Sequence, residues 1–175
     1  IQNTFKSSVI LRPSVVFGPE DKFFNTFASL AQFSPVLPLI GGGKTKFAPV
    51  YVGDIARAIV KVLELNTSEP KTYELGGPKN YSFKELMEIL LAEIKKKRIL
   101  IPINFSLAKF LAYFLQLMPN PLLTPDQVNI LRYPNIVSGN YGVLKDLGIS
   151  GKNIHSILPK YIYRFRTGGQ FGWNY

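Results

Sequence analysis

Residues 8–21 read SVILRPSVVFGPED, and the fold turns on how this stretch is taken. Val9, Ile10 and Leu11 form a short apolar run of the kind that fills a strand buried on both faces of a parallel sheet. Pro13 has no N–H to offer a ladder, so a central strand should stop near Arg12. Residues 13–21 then leave the carboxyl end of that strand as an ordered turn. In open α/β sheets, that edge is where ligands sit.

The rest of the chain bounds what such a strand belongs to. It has 175 residues, enough for one domain with a substantial core, and its 46% hydrophobic and 18% charged residues mark a folded protein rather than a disordered one. Lys and Arg outnumber Asp and Glu by 21 to 11, a net charge of +10. That surplus favours an anionic neighbour: a phosphorylated cofactor, an anionic membrane surface or an acidic subunit. Nucleic acid is not expected as a partner, because no recognised nucleic-acid motif accompanies the charge. There is no cysteine, hence no disulfide frame, thiolate nucleophile or cysteine metal site. No secretory signal is present, and no apolar run reaches the roughly 18–20 residues of a membrane-spanning helix. Ile1 is not an initiator and the chain enters a core strand almost at once, so it is expected to be the carboxyl-terminal part of a longer protein.

Downstream of the opening stretch, residues 23–33 (FFNTFASLAQF) place Phe23, Phe27, Leu30 and Ala31 at helical spacing, with Pro35 as a stop. Short strands are expected over 36–40 and 47–52, around Gly41-Gly42-Gly43. That triplet lacks the spacing of a phosphate-binding loop, so it reads as a flexible hairpin turn. The clearest helix spans 54–65, with Ile55, Ala58, Ile59, Val62 and Leu63 on one face. Asp54 suits its N-cap, with a catalytic role as the costlier alternative. A strand and turn over 72–77 precede a capping box, Ser82 with Glu85. The helix behind it buries Phe83, Leu86, Met87, Leu90 and Ile94 and ends in the basic run 95–98.

Residues 99–103 suit an edge strand, because Pro102 interrupts them. Residues 105–118 (FSLAKFLAYFLQLM) form a helix apolar nearly all round, the kind buried in protein or at a membrane interface. Thr124, Pro125, Asp126 and Gln127 start another helix that must end near Tyr133. A short helix is expected over 143–147, stopped by Gly148. A final one over 154–162 should be kinked or split by Pro159. His155, the only histidine, stands without clustered ligands, so a metal role is not expected. Strands alternating with helices, then a run of helices, indicate α/β with a helical appendage.

Arg12-Pro13-Ser14-Val15-Val16-Phe17-Gly18-Pro19-Glu20-Asp21 resembles the motif that follows the catalytic region of extended short-chain dehydrogenase/reductases. Residues 49–58 (PVYVGDIARA) are similar to that family's next helix start, and residues 72–77 and 82–86 to its next strand and helix. Residues 122–128 (LLTPDQV), 144–148 and 163–171 (YRFRTGGQF) are similar to one branch, the nucleotide-binding accessory subunits of respiratory complex I. The resemblance runs along essentially the whole chain. It implies an α/β fold, the carboxyl-terminal part of a Rossmann-like doubly wound domain over 1–104, with a mostly helical region over 105–175.

Two of the family's motifs are absent. The glycine-rich turn that sets a pyrophosphate on a helix amino terminus would lie upstream of Ile1. So would the Tyr-x-x-x-Lys pair, and no catalytic residue is therefore assigned. Tyr141 and Lys145 have that spacing only by coincidence. What the resemblance leaves is the nicotinamide-side wall: Arg12, Pro13, Ser14 and Val15 as cofactor-binding residues for NADPH or NADH. Backbone groups freed around Pro13 and Ser14 would bind a carboxamide and Val15 or Val16 would pack on the ring, while Arg12 would pair with a phosphate or fix the loop by an ion pair. Without the phosphate cradle, these 175 residues alone are expected to bind no dinucleotide.

The implied function is an NAD(P)H-binding accessory or assembly-related subunit of NADH:ubiquinone oxidoreductase. Its partners would be complex I subunits, in the cytoplasm or peripherally on the inner membrane through residues 105–118. The alternative is an active NAD(P)-dependent reductase or nucleotide-sugar epimerase of the same superfamily.

Overall fold

A computed structural model describes residues 7–65, 71–117 and 123–170. The opening stretch forms strand β1 (Val9–Pro13), a break at Ser14, then β2 (Val16–Phe17). Helix α1 (Lys22–Phe33), β3 (Val36–Ile40), β4 (Lys46–Phe47), β5 (Val50–Tyr51) and α2 (Val52–Glu64) follow. Next come β6 (Lys71–Leu75), β7 (Tyr81–Ser82), α3 (Phe83–Glu93), β8 (Ile99–Ile103), α4 (Phe105–Leu115) and α5 (Pro125–Ile130). The described chain closes with β9 (Gly142–Val143), α6 (Ile154–Ile157) and α7 (Pro159–Ile162).

The sheet that carries β1 is parallel, in the order β1-β6-β9, with Arg12 opposite Glu74 and Pro13 opposite Leu75. Three two-stranded pairs surround it: β2 with β5 and β3 with β8, both parallel, and β4 with β7 antiparallel. The parallel α/β class is as expected.

Burial of β1 is not. Val9 and Leu11 pack with Ala58 and Val62 of α2 in a core completed by Val50, Tyr73, Leu75 and Leu144. Ile10 is only half-buried, and Arg12 and Pro13 are exposed. Among the described residues β1 has one ladder partner, β6, and α2 covers one face of the pair. An edge strand covered on one side cannot be buried on both.

The larger core lies on the other side of β5. Phe17, Phe24, Phe47 and Phe83 are fully buried there with Leu86, Leu90 and Leu158. Phe23 joins them, its ring edge-on to those of Phe24, Phe27 and Phe83. The helical spacing of residues 23–33 picked up half of this face and missed Phe24 and Ala28. Asp21 caps α1, its carboxylate accepting from the Phe24 N–H at 2.6 Å. At the far end the Arg98 guanidinium donates to the Ala31 carbonyl, so part of the basic run closes a helix carboxyl terminus as well as following one.

Three further expectations change. Gly41-Gly42-Gly43 is not a hairpin turn, since β3 and β4 pair with β8 and β7 rather than with each other. The three glycines take φ of 62°, 67° and 71°, a left-handed run that only glycine sustains without strain. Asp54 is not the N-cap of α2, which begins two residues earlier behind Tyr51. It is wholly buried, and its carboxylate accepts from the Arg57 guanidinium and, at 2.6 Å, from the Lys152 N–H. On α2 the expected apolar face is buried at Ala58 and half-buried at Ile55 and Val62, whereas Ile59 and Leu63 are exposed.

The capping box at Ser82–Glu85 and the helix start at Thr124–Pro125 form as read, the latter with Gln127 completing a capping box of its own, and Pro159 splits the last helix into α6 and α7. Met118, at the end of the apolar helix, lies outside the described residues.

Candidate functional site

The carboxyl ends of β1 and β6 lie side by side, and the chain departs from them at Ser14 and Gly76. Pro13 forces the departure on one strand. On the other, Gly76 and Gly77 allow close approach: a Cβ on Gly77 would fall 1.9 Å from the Pro49 carbonyl oxygen. A cavity of about 240 Å³ opens at this edge, lined by Arg12, Pro13, Ser14, Glu74, Leu75 and residues 134–137. Three of the four residues expected to face a cofactor are therefore gathered in one concavity.

Their roles are not those expected of a free edge. Ser14 is buried, and its hydroxyl donates to the Asn135 carbonyl at 2.5 Å while accepting from the Ala48 N–H at 3.1 Å. Its own N–H donates to the Leu75 carbonyl at 3.0 Å. Ser14 thus fastens the edge together and has no free N–H for a ligand carboxamide. Val15 lies outside the cavity lining and packs on the phenylalanine-rich core, with its carbonyl accepting from the Val50 N–H. Arg12 has no carboxylate partner among the described residues. Its guanidinium lies 4.9 Å above the ring of Tyr141, a cation–π contact that leaves its edge donors free.

The side of the site that sequence reading missed is a strap, residues 134–138, between α5 and β9. It crosses the carboxyl edge and is held at both ends. The Asn135 N–H donates to the Lys46 carbonyl, and the Ser138 N–H donates to the Glu74 carboxylate at 2.6 Å. Val137 covers Gly76. Only Pro134 signalled irregular backbone here, and nothing local to residues 134–138 points at a strand 120 residues earlier.

A second, larger cavity of about 390 Å³ lies beside the first turn, lined by residues 16–22 and Val52. Asp21 stands in its wall. Burial pushes the Asp21 carboxyl above the usual carboxylate range, against the opposing pull of the Tyr161 hydroxyl and three backbone N–H groups. The Tyr161 hydroxyl donates to Asp21 at 2.6 Å, and burial, followed by that neighbouring charge, pushes the phenol well up. Arg164 donates to the Pro19 carbonyl and to Asn25. The carboxyl-terminal helices thereby clamp the turn that follows the site.

Tyr141 lies under Arg12, and Lys145 sits in the 3-10 turn Leu144–Leu147. No cluster of three or more potential metal ligands occurs among the described residues, and His155 stands edge-on to Tyr81. No helix among them is long and apolar enough to cross a membrane. The crevice at the carboxyl edge of β1 and β6 presents the Arg12 guanidinium and the Glu74 carboxylate. The described glycine turn, residues 41–43, leads into β4 rather than a helix, so it is not a pyrophosphate cradle.

Comparison with known proteins bears on this arrangement. Residues 2–76 match the NAD dependent epimerase/dehydratase family. The chain is 35% identical over 179 residues to the mitochondrial NADH dehydrogenase (ubiquinone) 1 alpha subcomplex subunit 9 of Arabidopsis thaliana, covering 97% of this chain and 44% of that protein. It is 26% identical over 172 residues to the mitochondrial NADH-ubiquinone oxidoreductase 40 kDa subunit of Neurospora crassa, covering 98% of this chain and 45% of the relative. The chain thus spans less than half the length of the curated relatives it matches. Among solved structures it resembles a dTDP-glucose 4,6-dehydratase of Streptomyces venezuelae, solved with NAD bound, at a TM-score of 0.61, 19% identity, 95% of this chain and 45% of that one. At that identity the likeness concerns the fold.

Proposed function

We infer that this chain is a relative of the complex I accessory subunits, with residues 2–76 similar to the NAD dependent epimerase/dehydratase family. From that premise we propose that it supplies the nicotinamide-side wall of an NAD(P)H-holding accessory or assembly-related subunit of NADH:ubiquinone oxidoreductase. The observation that supports this reading most is the match to such subunits along 97% of the chain. A cavity lined in part by Arg12, Pro13, Ser14 and Glu74 supports the reading by offering a crevice at the carboxyl edge of β1. NADPH and NADH are both admitted, because the groups at this edge would meet only the nicotinamide end. The epimerase-family match over residues 2–76 supports a second reading, an active reductase or nucleotide-sugar epimerase.

Peripheral membrane contact belongs to the same proposal. Helix α4 buries only Ala108 and Ala112. Phe110 is 58% and Phe114 60% exposed, their rings 5.1 Å apart, and Leu107, Leu111, Tyr113 and Leu117 are exposed beside them. Ile130 and Tyr133 extend the apolar area onto the α5 side, with Lys109 on α4 and Arg132, stacked on Phe105, adding basic charge. An apolar face with basic neighbours suits an anionic lipid surface.

The nucleotide part is tested by denaturing the purified native gene product and quantifying what it releases. Arg12→Ala is expected to lower the retained NAD(P)H by roughly tenfold, the loss of one charge-assisted contact. Lys44→Ala, in the glycine turn, should leave retention unchanged. A reversed pair of results would move the phosphate site to residues 41–44 and overturn the assignment.

A further inference from the structure

We infer that the outer face of the β3–β8 pair, with the basic run 95–98 beside it, is the docking surface for an amphipathic helix of a partner protein, acidic at the end that meets the run.

Parallel strands are rarely left bare on either face. β3 and β8 are parallel, with Val36 opposite Ile99 and Pro38 opposite Ile101. Their inner face is closed: Leu37 and Leu39 are buried, and Leu100 packs beside them on the phenylalanine-rich core. On the outer face Ile99 is 66% and Ile101 42% exposed, and Val36 and Pro38 are half-buried. These side chains form a flat apolar face, and none of them lines the cavity at the carboxyl edge of β1.

The Ile99 N–H donates to the Pro35 carbonyl, so the odd-numbered residues of both strands turn their backbone groups into the ladder and the even-numbered ones turn them outward. Pro38 and Pro102 stand at outward positions with no N–H to offer, which blocks extension by a further strand. Immersion in lipid would strip water from the outward backbone groups of Leu100. A helix laid on the face covers the side chains and leaves both edges in water. The five residues of β8 span about 17 Å, the length of a helix of about 11 residues.

Charge at one end of the face sets the partner's chemistry. Lys95, Lys96, Lys97 and Arg98 lead directly into Ile99, and none of the four makes an ion pair among the described residues. Glu93, the acidic residue nearest in sequence, is paired with Arg166 at 3.2 Å. A helix carboxyl terminus carries only about half a negative charge, so most of the run is uncompensated. Burial, and after it the Arg98 charge, holds the Lys96 ammonium below the ordinary lysine range. Lys95 takes φ 54°, the only positive φ at a non-glycine among the described residues, at a helix end where glycine is the usual residue. Glycine there would relieve the backbone but lose the charge. Asp or Glu at the matching end of a partner helix pairs with the run and offsets its self-repulsion.

The test places the photo-crosslinking residue benzoylphenylalanine at position 101 of the tagged native gene product, irradiates native membranes and identifies the adduct by mass spectrometry. The same residue at position 61, on the exposed side of α2, sets the background. The adduct should lie on a different protein, in a segment with apolar residues at helical spacing and Asp or Glu at one end. Lys95→Glu with Lys97→Glu should lower its yield roughly tenfold, and Lys95→Gln with Lys97→Gln by less. Both lysines are exposed, so the melting midpoint should hold. If it falls for the Glu pair, the Gln pair decides, and an unchanged yield contradicts the inference. Adducts with lipid, with a second copy or with another part of the same chain overturn it, as does a yield no higher than at position 61.

Discussion

Asp54→Ala is expected to lower the stability of the chain by about 1.5–3 kcal/mol, the range for losing a hydrogen bond to a charged group. The Asp54 side chain has no exposed surface, and it joins two parts of the chain 98 residues apart. Truncation leaves the Lys152 N–H without its acceptor and frees Arg57, which is half-exposed and can turn to water. The larger share of the loss should therefore come from the Lys152 end, where the chain returns to α2. Asp54→Asn retains an acceptor oxygen, so it should lose about half as much. Urea unfolding followed by circular dichroism measures both. A loss below about 1 kcal/mol for Asp54→Ala would mean that the carboxylate does not hold residue 152 against the helix.

Replacing Phe110 and Phe114 together by Glu should abolish binding to anionic liposomes while leaving the protein folded. Both rings are more than half exposed, so the substitutions remove little from the interior. On a lipid surface each ring would contribute up to roughly 1.5–3 kcal/mol by burial, and each new carboxylate adds repulsion from the anionic headgroups. Cosedimentation reports binding, and the urea midpoint reports folding. If the wild type does not sediment with liposomes, α4 faces something other than lipid. If the double variant unfolds, the face is interior.

Much of the scaffold was legible because its signals are local. Ser82 with Glu85, the helix start at Thr124 and Pro125, and the split at Pro159 each depend on residues within one turn, and they form as read. The carboxyl-terminal end of β1 was legible for the same reason, since Pro13 removes a ladder donor wherever it stands. What failed was long-range. Asp54 has the residue type and position of a cap, but its partner, Lys152, lies on a segment that no local pattern brings near. Gly41–Gly43 looked like a hairpin because two apolar segments flank it. The actual partners, β7 and β8, lie about one supersecondary unit further along.

The candidate site divides in the same way. Arg12, Pro13 and Ser14 were identified from one contiguous motif, and they do meet at a cavity. Glu74 escaped notice because its relevance comes only from the register that sets it opposite Arg12. Residues 134–138 escaped because a strap held by backbone hydrogen bonds carries almost no side-chain signature. Exposure of Ile59 and Leu63 on α2 and of Phe110 and Phe114 on α4 shows a further limit. Helical periodicity reports that a face is apolar, but not what covers it.

On the function proposed above, the protein to which this chain belongs works as a nucleotide-holding complex I accessory subunit rather than as a free enzyme. The most direct measurement is to tag the native gene product, extract membranes in mild detergent and follow the tag by native electrophoresis. The tag is expected to comigrate with NADH:ubiquinone oxidoreductase activity, and the excised band to release NADPH or NADH. A tag that runs apart from that activity, on a protein that turns over a nucleotide sugar or reduces a small carbonyl substrate with NAD(P)H, would contradict it.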